Sequence, residues 1–265
     1  MDPTRIDLRP AIDRSWLEDA ARRDPLGHAY ALWDLTHAPD RIRIVSALAG
    51  DRTIGYLLLW LGHPTASVVH WVGTDPRGLA LARALPPRPL VAIVPEGFRE
   101  AARRERGPAA EYPLLGLRAE PLLEERGFPP EEGVRLLTRR DRPRLVRWTS
   151  SQSDPVVAEY TQLDPGAEPV WGAFLGPDLV GVVRAAVRLP LVWVLGGVYV
   201  DPIARGQGLG RALVRSAQRA AAVDGAPAAL FVREDRLAAR TLYESLGFRR
   251  VASRTWLDAG AGLVP

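Results

Sequence analysis

Between Val200 and Leu213 the sequence reads Val-Asp-Pro-Ile-Ala-Arg-Gly-Gln-Gly-Leu-Gly-Arg-Ala-Leu. Glycines at 206, 208 and 210 leave the backbone bare of Cβ atoms, so a ligand can come close to its N–H groups. A β-like run precedes them and a helix-like run follows. The first turn of a helix has unpaired N–H groups and a partial positive charge, a combination suited to phosphate or pyrophosphate. Arg205 and Arg211 are placed to add charge. The order Arg-x-x-Gly-x-Gly behind a hairpin is not the Rossmann fingerprint, and no Gly-Lys-Ser/Thr of a Walker loop is present. A tight turn with no ligand is the plain alternative.

Val198-Tyr199-Val200, Asp201-Pro202, Arg205-Gly206-Gln207-Gly208-Leu209-Gly210 and then Leu242-Tyr243-Glu244-Ser245-Leu246-Gly247-Phe248 follow one another in order. Together they resemble the GNAT superfamily (Gcn5-related N-acetyltransferases) over roughly residues 143–265. The resemblance implies an acyl-CoA site. Val198, Tyr199 and Val200 would border the pantetheine arm, with Gly196-Gly197 as a strand bulge. Arg205, Gly206, Gln207, Gly208, Leu209, Gly210 and Arg211 would hold the pyrophosphate. It implies Tyr243 as the acid that protonates the departing thiolate, a role that suits a phenol with an ordinary pKa near 10. Arg236 stands where many relatives carry an Asn that contacts the CoA arm. The strand before the loop has no carboxylate to act as base; Glu168, Glu234 and Asp235 are the acidic groups nearby in sequence, and solvated surface charges are the plain reading of each. Trp148, Trp171 and Trp193 are core residues or, alternatively, the wall of an apolar acceptor pocket.

The elements that must position these residues read as follows. "PVWGAFLGPDLVGVVRAAV" is a hairpin turning at Gly176-Pro177-Asp178, and "LVWVLGGVYV" is the next strand. "GLGRALVRSAQRAAAVDG" is a helix with apolar Leu209, Leu213, Ala217 and Ala220 on one side. "AALFVRED" is a strand, "LAARTLYESLGF" a helix closed by Gly247, and "VASRTWL" a last strand. "DPVVAEYTQLD" reads as a further helix.

The first half repeats the order. "RGLALARAL" (77–85) matches "RGQGLGRAL" (205–213), and Asp75-Pro76 matches Asp201-Pro202. Downstream, "LLEERGF" (122–128) matches "LYESLGF" (242–248). Ala80 and Ala82 replace Gly208 and Gly210, and Leu123 stands for Tyr243. The expectation is a duplicated chain with a degenerate first copy, a plan similar to glycine N-acyltransferase-like proteins. The fold class is α/β (α+β): two tandem GNAT-like domains, each a mixed, mostly antiparallel sheet flanked by helices. The division is 1–140 and 141–265, at the charged, Pro-bearing "TRRDRPR".

Composition sets outer limits. With 265 residues, 47% hydrophobic and 25% charged, the chain is of ordinary globular make-up. There is no cysteine, which removes disulfides, thiolate metal sites and a Cys nucleophile. Four histidines, at 28, 37, 63 and 70, show no metal spacing; His63 and His70 are the pair that could share a site, with solvated or core-satisfied histidines as the plain reading. All 35 basic residues are Arg, and the net charge is +4. No apolar run has the length of a membrane span, and "MDPTRIDLRP" has no secretion-signal core.

The functional expectation is an N-acyltransferase with acetyl-CoA or another acyl-CoA as co-substrate. It needs no metal, acts on a small-molecule amine or amino acid, and is cytoplasmic. Neither nucleic acid nor a membrane is an expected partner, and a homodimer is a compatible assembly. Two rivals stand beside it: a non-catalytic acyl-CoA-binding regulatory protein, and an Arg-rich nucleic-acid binder, which would show steep salt dependence.

Overall fold

The computed structural model describes residues 6–263 and 265, except 64, 74, 122–130, 155, 156 and 158. Its contacts divide the chain into two compact units. The first is Met1–Gly116 with Arg233–Asp235 and Ala252–Pro265; the second is Leu117–Val232 with Arg236–Val251.

In chain order the first part contains β1 (Ile6–Arg9), α1 (Arg14–Arg23), α2 (Pro25–His37), β2 (Ile42–Ala49), β3 (Arg52–Trp60), β4 (Ser67–Gly73), a 3-10 segment (Pro76–Ala84), β5 (Leu90–Pro95), α3 (Arg99–Arg106) and β6 (Ala110–Ala119). There follow β7 (Val134–Leu136), α4 (Arg142–Ser150), β8 (Val170–Leu175), β9 (Asp178–Leu189), β10 (Val192–Val200), α5 (Leu209–Val223), β11 (Ala228–Arg233), α6 (Leu237–Ser245) and β12 (Arg249–Ala259).

In the first unit β1, β2, β3 and β4 pair antiparallel in sequence, β4 and β5 pair parallel, and β5 pairs antiparallel with β12. In the second, β7, β8, β9 and β10 pair antiparallel and β10 joins β11 in parallel. Each sheet is therefore mixed and mostly antiparallel, with helices flanking it. Alternation places one apolar set on each face. In the first unit Leu57, Leu59, Trp71, Leu81 and Phe98 share one cluster, while Leu17, Ala31, Tyr56 and Leu58 share another. In the second, α4 contributes Leu145 and Trp148 to a cluster with Tyr160, Val182 and Tyr199.

Three expectations change. By contact, the stretch from Leu117 groups with the second unit instead of the first, and β12, pairing with β5 through Arg254–Ala259, draws the chain's end into the first. The "TRRDRPR" stretch begins α4 instead of linking domains. Thr138 and Asp141 form a capping box on the 3-10 turn Arg139–Asp141 that leads into α4, and Arg135 binds the Asp141 carboxylate at 2.6 and 2.8 Å. The described part of "DPVVAEYTQLD" is chiefly a 3-10 turn at Glu159–Gln162.

Element order also corrects the repeat. α6 lies between β11 and β12, so its counterpart, between β5 and β6, is α3. "LLEERGF", Leu123 included, lies outside the described residues. α3, Arg-Glu-Ala-Ala-Arg-Arg-Glu-Arg, contains no tyrosine.

Candidate functional site

β10 changes register twice against β9. Val194 faces Val187 but Leu195 faces Ala185; Gly196 faces Arg184 but Tyr199 faces Val182. The second shift puts Gly197 and Val198 opposite a single residue, Val183, which is a bulge. Gly197 has φ +61°, and a Cβ built on it would stand 2.5 Å from the Tyr160 hydroxyl oxygen. Only glycine fits there. Tyr160 is fully buried, and its hydroxyl donates to the Gly197 carbonyl at 2.7 Å, with the Gly196 carbonyl at 3.2 Å. Among the described residues, β10 and β11 pair only at Trp193↔Ala228 and Val194↔Ala229, although both strands continue. The strands part where the bulge begins, so the β10 edge from Leu195 to Val200 lacks a strand partner on that side.

At the strand end Asp201 takes a hydrogen bond from the Trp148 indole at 3.0 Å, tying the turn to α4. A 3-10 turn at Pro202–Ala204 follows. Gly206 and Gly208 both have φ +79°, and Gly208 is the N-cap of α5. The first helical bond runs from the Ala212 N–H to the Gly208 carbonyl at 3.0 Å. The amides of Gly206 through Arg211 thus donate to no acceptor among the described residues, at the positive end of a 15-residue helix. Gly206, Gln207 and Gly208 are exposed, as a cradle for an anion requires.

The charged side chains behave differently from the amides. Arg205 folds back, its Nε donating to the Val200 carbonyl at 3.0 Å and its guanidinium 5.7 Å from the centre of the Tyr199 ring. Arg211 donates to Ser245 Oγ at 2.8 Å, joining α5 to α6. Both reinforce the walls of the loop. Leu209 puts its side chain into the core, leaving only its amide for a ligand. Tyr199 is buried too, its hydroxyl donating to Gln152 Oε1 at 3.2 Å. Burial first, then the charges of Asp154 and Asp201, raise its pKa.

Tyr243 lies on α6, 6% exposed, with its ring edge-to-face on Phe248 at 5.8 Å. Its hydroxyl has no hydrogen-bond partner among the described residues, and burial pushes its pKa well above the usual phenol range. At neutral pH it is a protonated donor. Arg236, exposed, directly precedes α6, and its carbonyl takes the helix's first bond from the Arg240 N–H at 3.0 Å.

Residues 134–248 match the model of the acetyltransferase (GNAT) family. The match covers less than half of the chain. Over 81 residues, 29% of the chain, the sequence is 46% identical to a mycothiol acetyltransferase of Streptomyces scabiei; the match spans only 25% of that protein. Among solved structures, a Drosophila protein superposes with a TM-score of 0.70 at 15% identity, over 97% of this chain and 98% of that one. A tandem GNAT protein from the clavulanic acid biosynthesis pathway gives 0.58 at 17% identity, over 97% and 99%. A GCN5-related N-acetyltransferase from Kribbella flavida gives 0.56 at 20%, over 92% and 97%. These likenesses concern the fold, and bear out an α/β architecture of two GNAT-like units in tandem.

Within the matched segment, Trp148, Trp171 and Trp193 are all buried, so none presents an open pocket wall. Glu168 is part-exposed and 3.6 Å from Arg184. Glu234 and Asp235 group by contact with the first unit, where Asp235 pairs with Arg233. His70 stacks on Tyr30 at 4.5 Å, and His63 accepts the Thr65 amide at 3.3 Å. No group of three or more metal-type ligands occurs among the described residues, nor any helix long and apolar enough to cross a membrane. Sequence reasoning missed Tyr160: its partners are 36 and 37 residues away, and nothing local in "AEYTQ" marks it.

Proposed function

We propose that the chain is an acyl-CoA-dependent N-acetyltransferase that moves acetyl from acetyl-CoA to a primary amine of a small molecule or amino acid. The observation that carries this reading is the row of unpartnered amides from Gly206 to Arg211 at the end of a strand that has parted from its neighbour. Those amides would take the pyrophosphate, and the open edge of β10 through Val198 and Val200 would pair with the pantetheine arm. The GNAT family match and the name of the Streptomyces relative support acetyl transfer.

In the reaction a neutral amine attacks the thioester carbonyl carbon. The C–N bond forms and the C–S bond breaks. The sulfur takes its proton from the Tyr243 hydroxyl, which is refilled from water, and the surplus proton on nitrogen leaves to solvent. Backbone N–H groups at the bulge would polarise the carbonyl. Tyr243 suits the acid role because it stays protonated at neutral pH and has no internal acceptor to compete for it.

The first unit, in this reading, is a degenerate copy that supports structure. Its Asp75-Pro76 turn leads into a 3-10 segment and not into a glycine loop and long helix.

Two measurements test the proposal. Calorimetry should find one acetyl-CoA per chain, and Tyr243→Phe should lower kcat by at least about tenfold while leaving acetyl-CoA affinity unchanged. Binding without turnover on any amine would favour the regulatory reading; two sites per chain would show that the first unit also binds; no binding would sink the assignment.

A further inference from the structure

The first unit has an open cleft of about 780 Å³ where the β2–β3 hairpin meets the start of α1, with Arg9, Ile12, Trp16, Leu48, Asp51 and Arg52 in its lining. Small-molecule sites usually measure about 300–1,000 Å³. Ile12 and Trp16 are part-exposed and Leu48 is buried. Trp16 is held edge-on by His28 and Tyr56, with ring centres 5.9 and 6.3 Å away. Arg52 lies 3.4 Å from Asp75, a carboxylate that Arg77 already holds at 2.7 Å. Arg9 is exposed, and its guanidinium has no hydrogen bond or ion pair among the described residues.

The second unit shows what an arginine in this position takes. β1 and β7 each pair antiparallel with the first strand of a hairpin: Leu8 faces Ala47, and Val134 faces Ala173. Both hairpins change register just after those alanines, at Ala47/Leu48 and at Ala173/Phe174. Arg9 follows Leu8 as Arg135 follows Val134, so the two arginines are equivalent, and so are Leu48 and Phe174. Asp13 and Asp141 correspond as well, each four residues before a fully buried leucine, Leu17 or Leu145. Arg135 forks onto the Asp141 carboxylate at 2.6 and 2.8 Å, and its guanidinium lies 4.6 Å from the centre of the Phe174 ring. In the first unit Asp13 turns to its helix instead. One of its oxygens takes the Ser15 amide at 2.8 Å, the Ser15 hydroxyl at 2.7 Å and the Trp16 amide at 3.3 Å. Arg9 therefore keeps the fork without the carboxylate, and the smaller leucine leaves room where the second unit has a phenyl ring.

We propose that this cleft binds a small carboxylic acid with an apolar body. Arg9 takes the carboxylate through two parallel N–H···O bonds, as Arg135 takes Asp141, and the body lies on Ile12, Trp16 and Leu48. Asp13 and Asp51 line the cleft beside Arg9 and Arg52, so a monoanion suits it better than a dianion. The site lies wholly in the first unit and does not depend on the acyl-CoA reading of the second.

The test titrates the full chain by calorimetry with 3-phenylpropionate and with hexanoate, each beside its own primary amide, and with acetate as an acid that has no body. Each of the two larger acids should bind at one site per chain, at least about tenfold tighter than its amide, and acetate should bind more weakly than either. Arg9→Gln should abolish the preference for acid over amide. Arg9→Lys, which keeps a point charge without the fork, should retain part of it. Leu48→Phe, which writes Phe174 into the first unit, should weaken both larger acids. Arg9 is exposed, so its variants should keep the native thermal midpoint within about 2 °C, which reports that they are folded. No binding of either larger acid by the native chain, amides bound as tightly as acids, or Arg9→Gln binding the acids as the native chain does would overturn the inference. Acetate bound as tightly as the larger acids would also overturn it, because the apolar wall would then contribute nothing.

Discussion

The chain leaves a sheet through an Asp-Pro turn twice, at residues 75–76 and 201–202, and the two exits differ. Asp75 caps its own turn: its carboxylate takes the Arg77 amide at 3.0 Å and the Arg77 side chain at 3.0 and 2.7 Å. Asp201 makes no such cap and instead holds Trp148. After Asp75 the chain winds at once into nine residues of 3-10 helix; after Asp201 it crosses two left-handed glycines and starts a 15-residue α-helix. The strands before the turns differ as well. β4 pairs with β3 without a register shift and with β5 over four residues. β10 is bulged and pairs with β11 over two. No non-glycine residue described in the chain has a positive φ. Ala80 therefore does not take the conformation that Gly208 takes, and the comparison reduces to whether backbone amides are turned outward or wound in.

That contrast can be broken first at the bulge. Gly197→Ala needs a left-handed alanine and drives a Cβ into Tyr160, so it should lower stability by about 2–4 kcal/mol in a denaturant titration. Tyr160→Phe, which removes only the hydroxyl, should cost about 1 kcal/mol. Equal effects from the two would show that the glycine's conformation does not matter.

Next in size is Gly208→Ala, which writes Ala80 into the second copy. A left-handed alanine costs about 1–2 kcal/mol, so acetyl-CoA affinity should fall roughly 5–30-fold in calorimetry. Gly210 has a negative φ, and a Cβ there would make only ordinary contact with Leu242 at 3.5 Å. Gly210→Ala should therefore weaken binding less than Gly208→Ala. The reverse order would mean that bulk against the ligand, not backbone conformation, separates the copies.

The first unit differs also in its buried histidine. His28 is 7% exposed and lies 3.0 Å from the Tyr56 hydroxyl. Burial, helped by Arg254 and Arg23, lowers its pKa to about 4, against an ordinary 6.5. Between pH 6.5 and 4 the unfolded chain binds a proton that the folded chain refuses, so stability is full above that window and falls as pH drops through it. Thermal midpoints measured from pH 7.5 to 4.5 should decline, and His28→Asn should decline less steeply. The smallest effect expected is from Asp75→Ala, a slight drop in the thermal midpoint for a lost cap, without change in acetyl-CoA binding.

Much of the site was legible because its chemistry is local. Gly206, Gly208 and the helix start at Leu209 need only neighbours in the chain to turn amides outward. Tyr243 was legible through its motif with Gly247 and Phe248. What local reading missed depended on distant partners: Tyr160 on Gly196 and Gly197, Asp201 on Trp148, and the Arg205 Nε on the Val200 carbonyl. The match of "LLEERGF" to "LYESLGF" falls outside the described residues; by element order α3, between β5 and β6, sits where α6 sits between β11 and β12.

By itself the sequence determined the glycine loop, the alternating strands on either side of it, the helices with one apolar face and the absence of thiol chemistry. Each follows from backbone sterics, periodicity or composition, which act within a few residues. Only the tertiary structure decided which strand the last segment joins, that the "TRRDRPR" stretch caps a helix, and that Arg184 and Glu168 meet beside the bulge. Those outcomes depend on strand register and on side chains packed across long stretches of chain, where the energies compared belong to whole faces and not to neighbouring residues.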